Sequence, residues 1–275
     1  MNKTTIWVLA VVITIGAAYF QRKTGPTYPK KVKIEIAGVV HKFKLIRTSN
    51  NDKDARIKIV IPDTSIVGKL NYKFFPIEDT WKTIDFVRTE ETLIAYLPKQ
   101  PAAGKLEYYL TLTNNNYPKE IVNTEHIIIR FKGNVPAWAM IPHILFMFAA
   151  MLLSTAAGIM AIVKDEKQVL YGKLTLLFLI IGGMIFGPII QHYAFGQAWT
   201  GIPLGWDLTD NKTLIALIFW IVAVWANRNK ANLKLTILAA IVLMAVYCIP
   251  HSLFGSEFDY SQGKVVTGLI TRTVW

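Results

Sequence analysis

The chain has 275 residues, is 53% hydrophobic, carries a formal net charge of +12 and contains one cysteine. Its apolar residues are unevenly spread, with long runs in 135–254 and a mixed, strongly charged stretch in 24–134, which excludes a single water-soluble globule. One cysteine excludes an intrachain disulfide, and no CxxC or CxxCH is present, so dithiol redox work and covalent haem attachment are excluded too.

The first predicted element is Ile6–Phe20 (IWVLAVVITIGAAYF), a short membrane-span candidate against the ~20 residues that a bilayer core requires. Lys3 before it and the small residues Gly16, Ala17 and Ala18 within it also suit a signal peptide. Tyr19, Phe20 and the following QRK favour an uncleaved interfacial anchor, giving residues 1–23 that role.

Residues 24–134 read as β structure. Alternating or β-branched runs occur at Lys33–Ala37, Val40–Thr48, Arg56–Ile61, Lys69–Phe75, Lys82–Arg88, Leu93–Leu97, Leu106–Leu112 and Ile127–Phe131. Turn clusters such as SNNDKD, PIED, PKQPAAGK and TNNNYPK separate them, and short strands at this spacing predict an antiparallel sandwich. The segment LPKQPAAGKLEYYLTLTNN resembles the penultimate strand of an immunoglobulin or fibronectin type III domain. Gly104 leads there into a strand carrying Tyr108 and Tyr109, as in a tyrosine corner. The resemblance implies an all-β immunoglobulin-like sandwich and no chemistry. His41 and His126, on predicted strands without ligand-spaced partners, are expected at the surface or in packing.

Four further spans are predicted at Ala137–Val163, Leu174–Ile190 with Val169 as an alternative start, Leu214–Ala226 with its flanks, and Leu233–Ile249. The fold class is therefore a membrane α-helical bundle of five transmembrane helices with an inserted β-sandwich. Residues 135–254 form a four-helix bundle and 255–275 a tail. Lys164, Lys167 and Lys173 lie in one inter-span loop, Arg228, Lys230 and Lys234 in another, whereas 193–211 has no Lys or Arg. The positive-inside rule then puts the N-terminus in the cytoplasm and the β domain, the 193–211 loop and the tail outside, in a bacterial inner membrane. Part of the basic charge is topogenic and the rest is scattered over strands. Nucleic acid is therefore not an expected partner, and anionic lipid headgroups are the more ordinary one.

The 192–212 stretch, HYAFGQAWTGIPLGWDLTDNK, is the most informative. His143 follows Pro142 early in the second span, His192 closes the third and His251 closes the fifth after Pro250, so three histidines are expected at one depth beside Trp199, Trp206, Asp207 and Asp210. One reading treats these as interfacial anchors and proline-marked helix ends, with Asp210 as an N-cap. Another uses the imidazoles as ligands, with Asp207 orienting one by accepting its second N–H. The loop resembles the tryptophan-rich loop W-G-x-x-W-x-W-D-P-x-E-T of cytochrome c biogenesis membrane proteins that handle haem. FGQAW (195–199) stands for its first half and WD (206–207) with TDNKTLIALIFW (209–220) for its second. Phe195 replaces the first tryptophan, five additional residues precede WD, and P-x-E-T is absent.

That resemblance implies haem b held by His143 and His251, with His192 as alternate ligand and Trp199 and Trp206 as platform, for electron transfer or cytochrome assembly. A Cu or Zn site from His143, His192, His251 and Asp207 is a second expectation. A third needs no cofactor: an accessory subunit whose sandwich meets an extracytoplasmic protein partner and whose helices join other subunits of a membrane complex. No nucleophile–base pair or phosphate loop points to independent enzymatic activity. The spans, as bounded here, contain no charged residue, which disfavours a transporter.

Overall fold

The computed structural model describes residues 1–36, 38–122, 125–251 and 255–266. Ala37, at the end of the first expected strand, and residues 267–275 of the expected tail lie outside them. The chain divides into two compact units. One comprises Met1–Pro26 and Val135–Ser256, the other Thr27–Asn134 with Glu257–Val266.

The helical unit begins with α1 (Lys3–Thr24), whose N-cap Asn2 accepts the Thr5 amide. It continues with α2 (Ala137–Ile162), α3 (Gln168–Leu179), a π-helical segment (Ile180–Phe186), α4 (Gly187–Phe195), α5 (Leu208–Ala226) and α6 (Leu233–Cys248). Four helices, Lys3–Thr24, Ala137–Ile162, the continuous Gln168–Phe195 and Leu208–Ala226, are long and apolar enough to cross a membrane; Leu233–Cys248 is apolar but shorter. The third helix starts at Gln168, beside the earlier of its two expected starts, and runs past its expected end at Ile190 to Phe195. The π segment IIGGMIF precedes Pro188, which has no N–H to give the preceding turn.

Small residues set the helix spacing. A Cβ on Gly158 of α2 would lie 2.7 Å from the Ala240 Cβ of α6, and one on Gly172 of α3 would lie 3.0 Å from the Trp220 ring of α5. Trp220, Met151, Ala216, Ala239 and Leu243 are buried between these helices. Beside them, Gln168 Nε2 donates to Asn227 Oδ1 at 2.8 Å, Asn227 Nδ2 donates to Thr236 Oγ1 at 3.0 Å, and the Thr236 hydroxyl donates to Gln168 Oε1 at 2.6 Å. All three side chains are buried, so the ring of bonds removes the cost of stranding amides in an apolar interior.

The β unit is built from β1 (Lys30–Ile36), β2 (Val39–Leu45), β3 (Thr48–Asn50), β4 (Ala55–Val60), β5 (Ile66–Phe75), β6 (Lys82–Asp85), β7 (Val87–Thr89), β8 (Thr92–Leu97), β9 (Lys105–Asn114), β10 (Tyr117–Val122) and β11 (Ile127–Lys132). The largest sheet runs β3-β11-β9-β5-β6 with β10 also on β9. A second runs β4-β8-β7, and β1 pairs with β2 alone. Their inward residues, among them Ile34, Phe43, Ile57, Leu70, Leu93, Leu110, Ile129 and Phe131, share one core.

Two expected strands divide because the chain changes sheet. Lys82–Arg88 breaks at Phe86, whose amide bonds the Gly68 carbonyl at 2.9 Å while its ring packs on the core. Val40–Thr48 ends at Leu45, and β3 then pairs parallel with β11, a departure from a wholly antiparallel arrangement. The Tyr108 hydroxyl bonds the Ile46 carbonyl at 2.8 Å, so this buried phenol reaches a distant stretch of chain; the bond of a tyrosine corner goes only a few residues upstream. The expected tail forms a hairpin, β12 (Glu257–Asp259) and β13 (Lys264–Val266), that belongs to the β unit.

Candidate functional site

The tryptophan loop is held by the helix it precedes. Asp207 is the N-cap of α5, its Oδ1 accepting the Thr209 amide at 2.7 Å, while its Oδ2 accepts the Ser256 amide at 3.2 Å. Asp210, expected as that cap, sits one turn later and instead accepts the Thr200 amide at 2.6 Å and its hydroxyl at 3.1 Å. Asn211 Oδ1 takes the Ile202 amide at 2.8 Å. Gly201 is required, since a Cβ there would stand 2.7 Å from that of Asp210. Trp199 turns inward over the loop, its Nε1 donating to the Ile202 carbonyl at 3.2 Å, whereas Leu204 and Trp206 are exposed. The loop is thus a capped, internally bonded structure with an apolar tip.

The three histidines have separate partners. His143 Nδ1 lies 2.8 Å from the Gly182 carbonyl in the π segment. A carbonyl only accepts, so Nδ1 carries the proton and neutral His143 keeps its lone pair on Nε2. His251 Nδ1 lies 2.9 Å from Gln21 Nε2, and the same amide donates to the Tyr247 carbonyl at 2.8 Å. Gln21 therefore presents N–H groups, so Nδ1 of His251 accepts and its Nε2 holds the proton. His192 is exposed and meets the Tyr193 ring edge-on at 6.2 Å. Asp207 serves the α5 start and the Ser256 amide, and among the described residues it bonds no histidine nitrogen.

Lys212 is the residue the sequence reading missed. With α5 starting at Leu208 it falls inside a helix counted as free of charge, and it is buried. Its Nζ donates to the Ile249 carbonyl at 2.6 Å and lines a cavity of about 30 Å³ with Met147, Leu243, Tyr247 and His251. The signal was present: reading Asp207 as the cap puts Lys212 in the second turn of α5. Among the described residues, no three His, Cys, Asp or Glu side chains gather as metal ligands.

A second cluster lies in the β unit. His126 Nδ1 is 2.7 Å from Glu107 Oε1, and Lys73 bridges to the same carboxylate at 3.2 Å. His126 stacks on Tyr109 at 5.2 Å and meets Trp81 edge-on at 5.1 Å, with the Lys73 ammonium 5.0 Å above the Trp81 ring. His126 is partly exposed and its contacts are those of a surface packing residue. No protein-family model, no curated protein and no solved structure matches this chain.

Proposed function

We propose that the protein is a non-catalytic accessory subunit of a bacterial inner-membrane complex. Its five apolar helices cross the bilayer with the N-terminus inside, and its β unit is an extracytoplasmic sandwich of the immunoglobulin type that meets a protein partner. The carrying observation is how the polar groups of the tryptophan loop are used. Asp207, Asp210 and Asn211 all accept backbone amides of the loop, the helix start or Ser256, an arrangement that rigidifies a scaffold. The exposed Trp206 and Leu204 suit an interfacial belt on the same side. The test is the size and composition of the complex released from native membranes by mild detergent. A stoichiometric assembly is expected, and a chain recovered only alone would sink the reading.

A second reading, b-type haem for electron transfer or cytochrome assembly, is favoured by one observation. His143 donates Nδ1–H to a carbonyl and offers Nε2, the arrangement of a ligating imidazole with its outer partner. His251 would have to exchange the Gln21 amide for iron. The cavity beside His251 would also have to open, because about 30 Å³ is an order of magnitude below a ligand pocket. A pyridine haemochrome spectrum of purified protein beside His143→Ala and His251→Ala decides it: a b-type band lost in either variant supports ligation. His143, His192 and His251 face different partners, which disfavours a shared Cu or Zn ion.

A further inference from the structure

The β1–β2 sheet sets like charges directly against each other. Lys31 pairs with Lys44 and Lys33 with Lys42, and all four side chains are exposed on one face. Opposed Cβ atoms in an antiparallel pair are about 5 Å apart, so both rungs are repulsive. Glu35, the one acid in either strand, opposes Val40 rather than a lysine. The other face is committed to the core through Val32, Ile34, Phe43 and Leu45. At the tip Gly38 has a φ of 79°, and Val39 and Val40 beside it are 58% and 53% exposed. A single lysine is enough to discourage strand addition at an edge. Two like-charged rungs running up to bare valines exceed that need.

We propose that this hairpin docks on an anionic phospholipid surface, its lysine rungs meeting headgroup phosphates and its valine tip entering the interface. The inference rests on the reading of the helices as membrane spans. Phosphates between the rungs would neutralise a repulsion that water leaves in place. Only Gly25 to Pro29 separate the end of α1 from Lys30, and the last turn of α1 itself carries Arg22 and Lys23. Basic residues therefore follow an apolar span almost at once, which keeps the hairpin within a few residues of the headgroups that flank that span.

The test uses the full chain with Cys248→Ser and Val40→Cys, the new thiol carrying an environment-sensitive fluorophore. It is reconstituted in nanodiscs of phosphatidylcholine alone or with added phosphatidylglycerol. The expected result is a blue shift only with phosphatidylglycerol, reversed by salt and absent in Lys33→Gln/Lys42→Gln. That double variant should melt no lower than its parent, because a like-charged rung has gone. Equal emission in both disc types overturns the proposal. A shift that survives in the glutamine variant does so as well, as does one produced in phosphatidylcholine discs by dextran sulfate alone. Incorporation is read separately by co-elution of chain and disc. A chain that enters no disc removes the membrane reading and this proposal with it, an outcome distinct from an incorporated chain whose probe does not respond.

Discussion

Tyr260 and Lys105 exchange two hydrogen bonds. The phenol oxygen accepts the Lys105 amide at 3.2 Å and donates toward the Lys105 carbonyl at 3.0 Å, with Gln100 Oε1 also in range at 3.1 Å. The C-terminal hairpin is thereby bound to the start of β9, 155 residues earlier. An ion pair between Lys105 and Glu257 and the packing of Tyr260 on Phe74 at 5.0 Å reinforce the junction. Burial draws the Lys105 ammonium below its ordinary range, and the Glu257 carboxylate opposes that shift.

Tyr260→Phe removes these bonds while keeping the ring contact. The expected cost is about 1–2 kcal/mol in the β unit. Amide hydrogen exchange across 257–266 in the intact protein should accelerate. Unchanged exchange there would show that the ring and the ion pair hold the hairpin without the hydroxyl.

Tyr108→Phe strands the Ile46 carbonyl where Tyr108 is fully buried. Its expected cost is about 1–3 kcal/mol, read as a lower melting temperature of the β unit. Tyr109→Phe, on the partly exposed face, should change it little.

The pH dependence follows from the turn carboxylates. Hydrogen bonds from the Ser65 hydroxyl and amide hold Asp63 below its ordinary 3.8, and those from Ser261 do the same for Asp259. Burial pushes Asp79 upward, but the Phe74 and Thr80 amides and Lys82 outweigh it. With folded values depressed, the unfolded chain binds more protons, so stability present above 3.8 is lost as pH falls through the folded values. At the alkaline end burial raises Tyr108 above 10, so the unfolded phenol ionises first and stability falls beyond that pH. Melting curves from about pH 3 to 11 should show a plateau with two falling limbs. Asp63→Asn with Asp259→Asn should flatten the acid limb alone.

Gly158→Leu should separate α2 from α6, since even a Cβ would come within 2.7 Å of Ala240. Overpacking of this kind costs about 1–3 kcal/mol or more. Asn227→Ala, which opens the Gln168–Thr236 ring, should cost about 1–3 kcal/mol. Thermal stability in detergent measures both.

Period and composition made the apolar helices and most strands legible, because each depends on residues close in sequence. Strand changes of sheet were not, since Phe86 and Ile46 owe their breaks to partners far along the chain. At the candidate site the residues were found but their use was not. The WD pair reads equally as a ligand cover or a helix cap, and only the position of Thr209 and Ser256 around Asp207 distinguishes them. Lys212 was hidden by a helix boundary placed six residues late, at Leu214 rather than Leu208. The paired lysines of β1 and β2 are scattered along the sequence, because register, not spacing, brings them together.

The C-terminal hairpin also orders events during synthesis. β11 ends at Lys132, yet the strand pair that covers the start of β9 begins at Glu257, after every helix of the bundle. At roughly 5–20 residues per second the ribosome needs on the order of ten seconds to make the intervening chain. Through that interval the β unit has all its other strands but an uncovered seam at Gln100, Ala103 and Lys105. Its last piece arrives only when α6 has been made, so a covered seam marks a chain translated past Glu257.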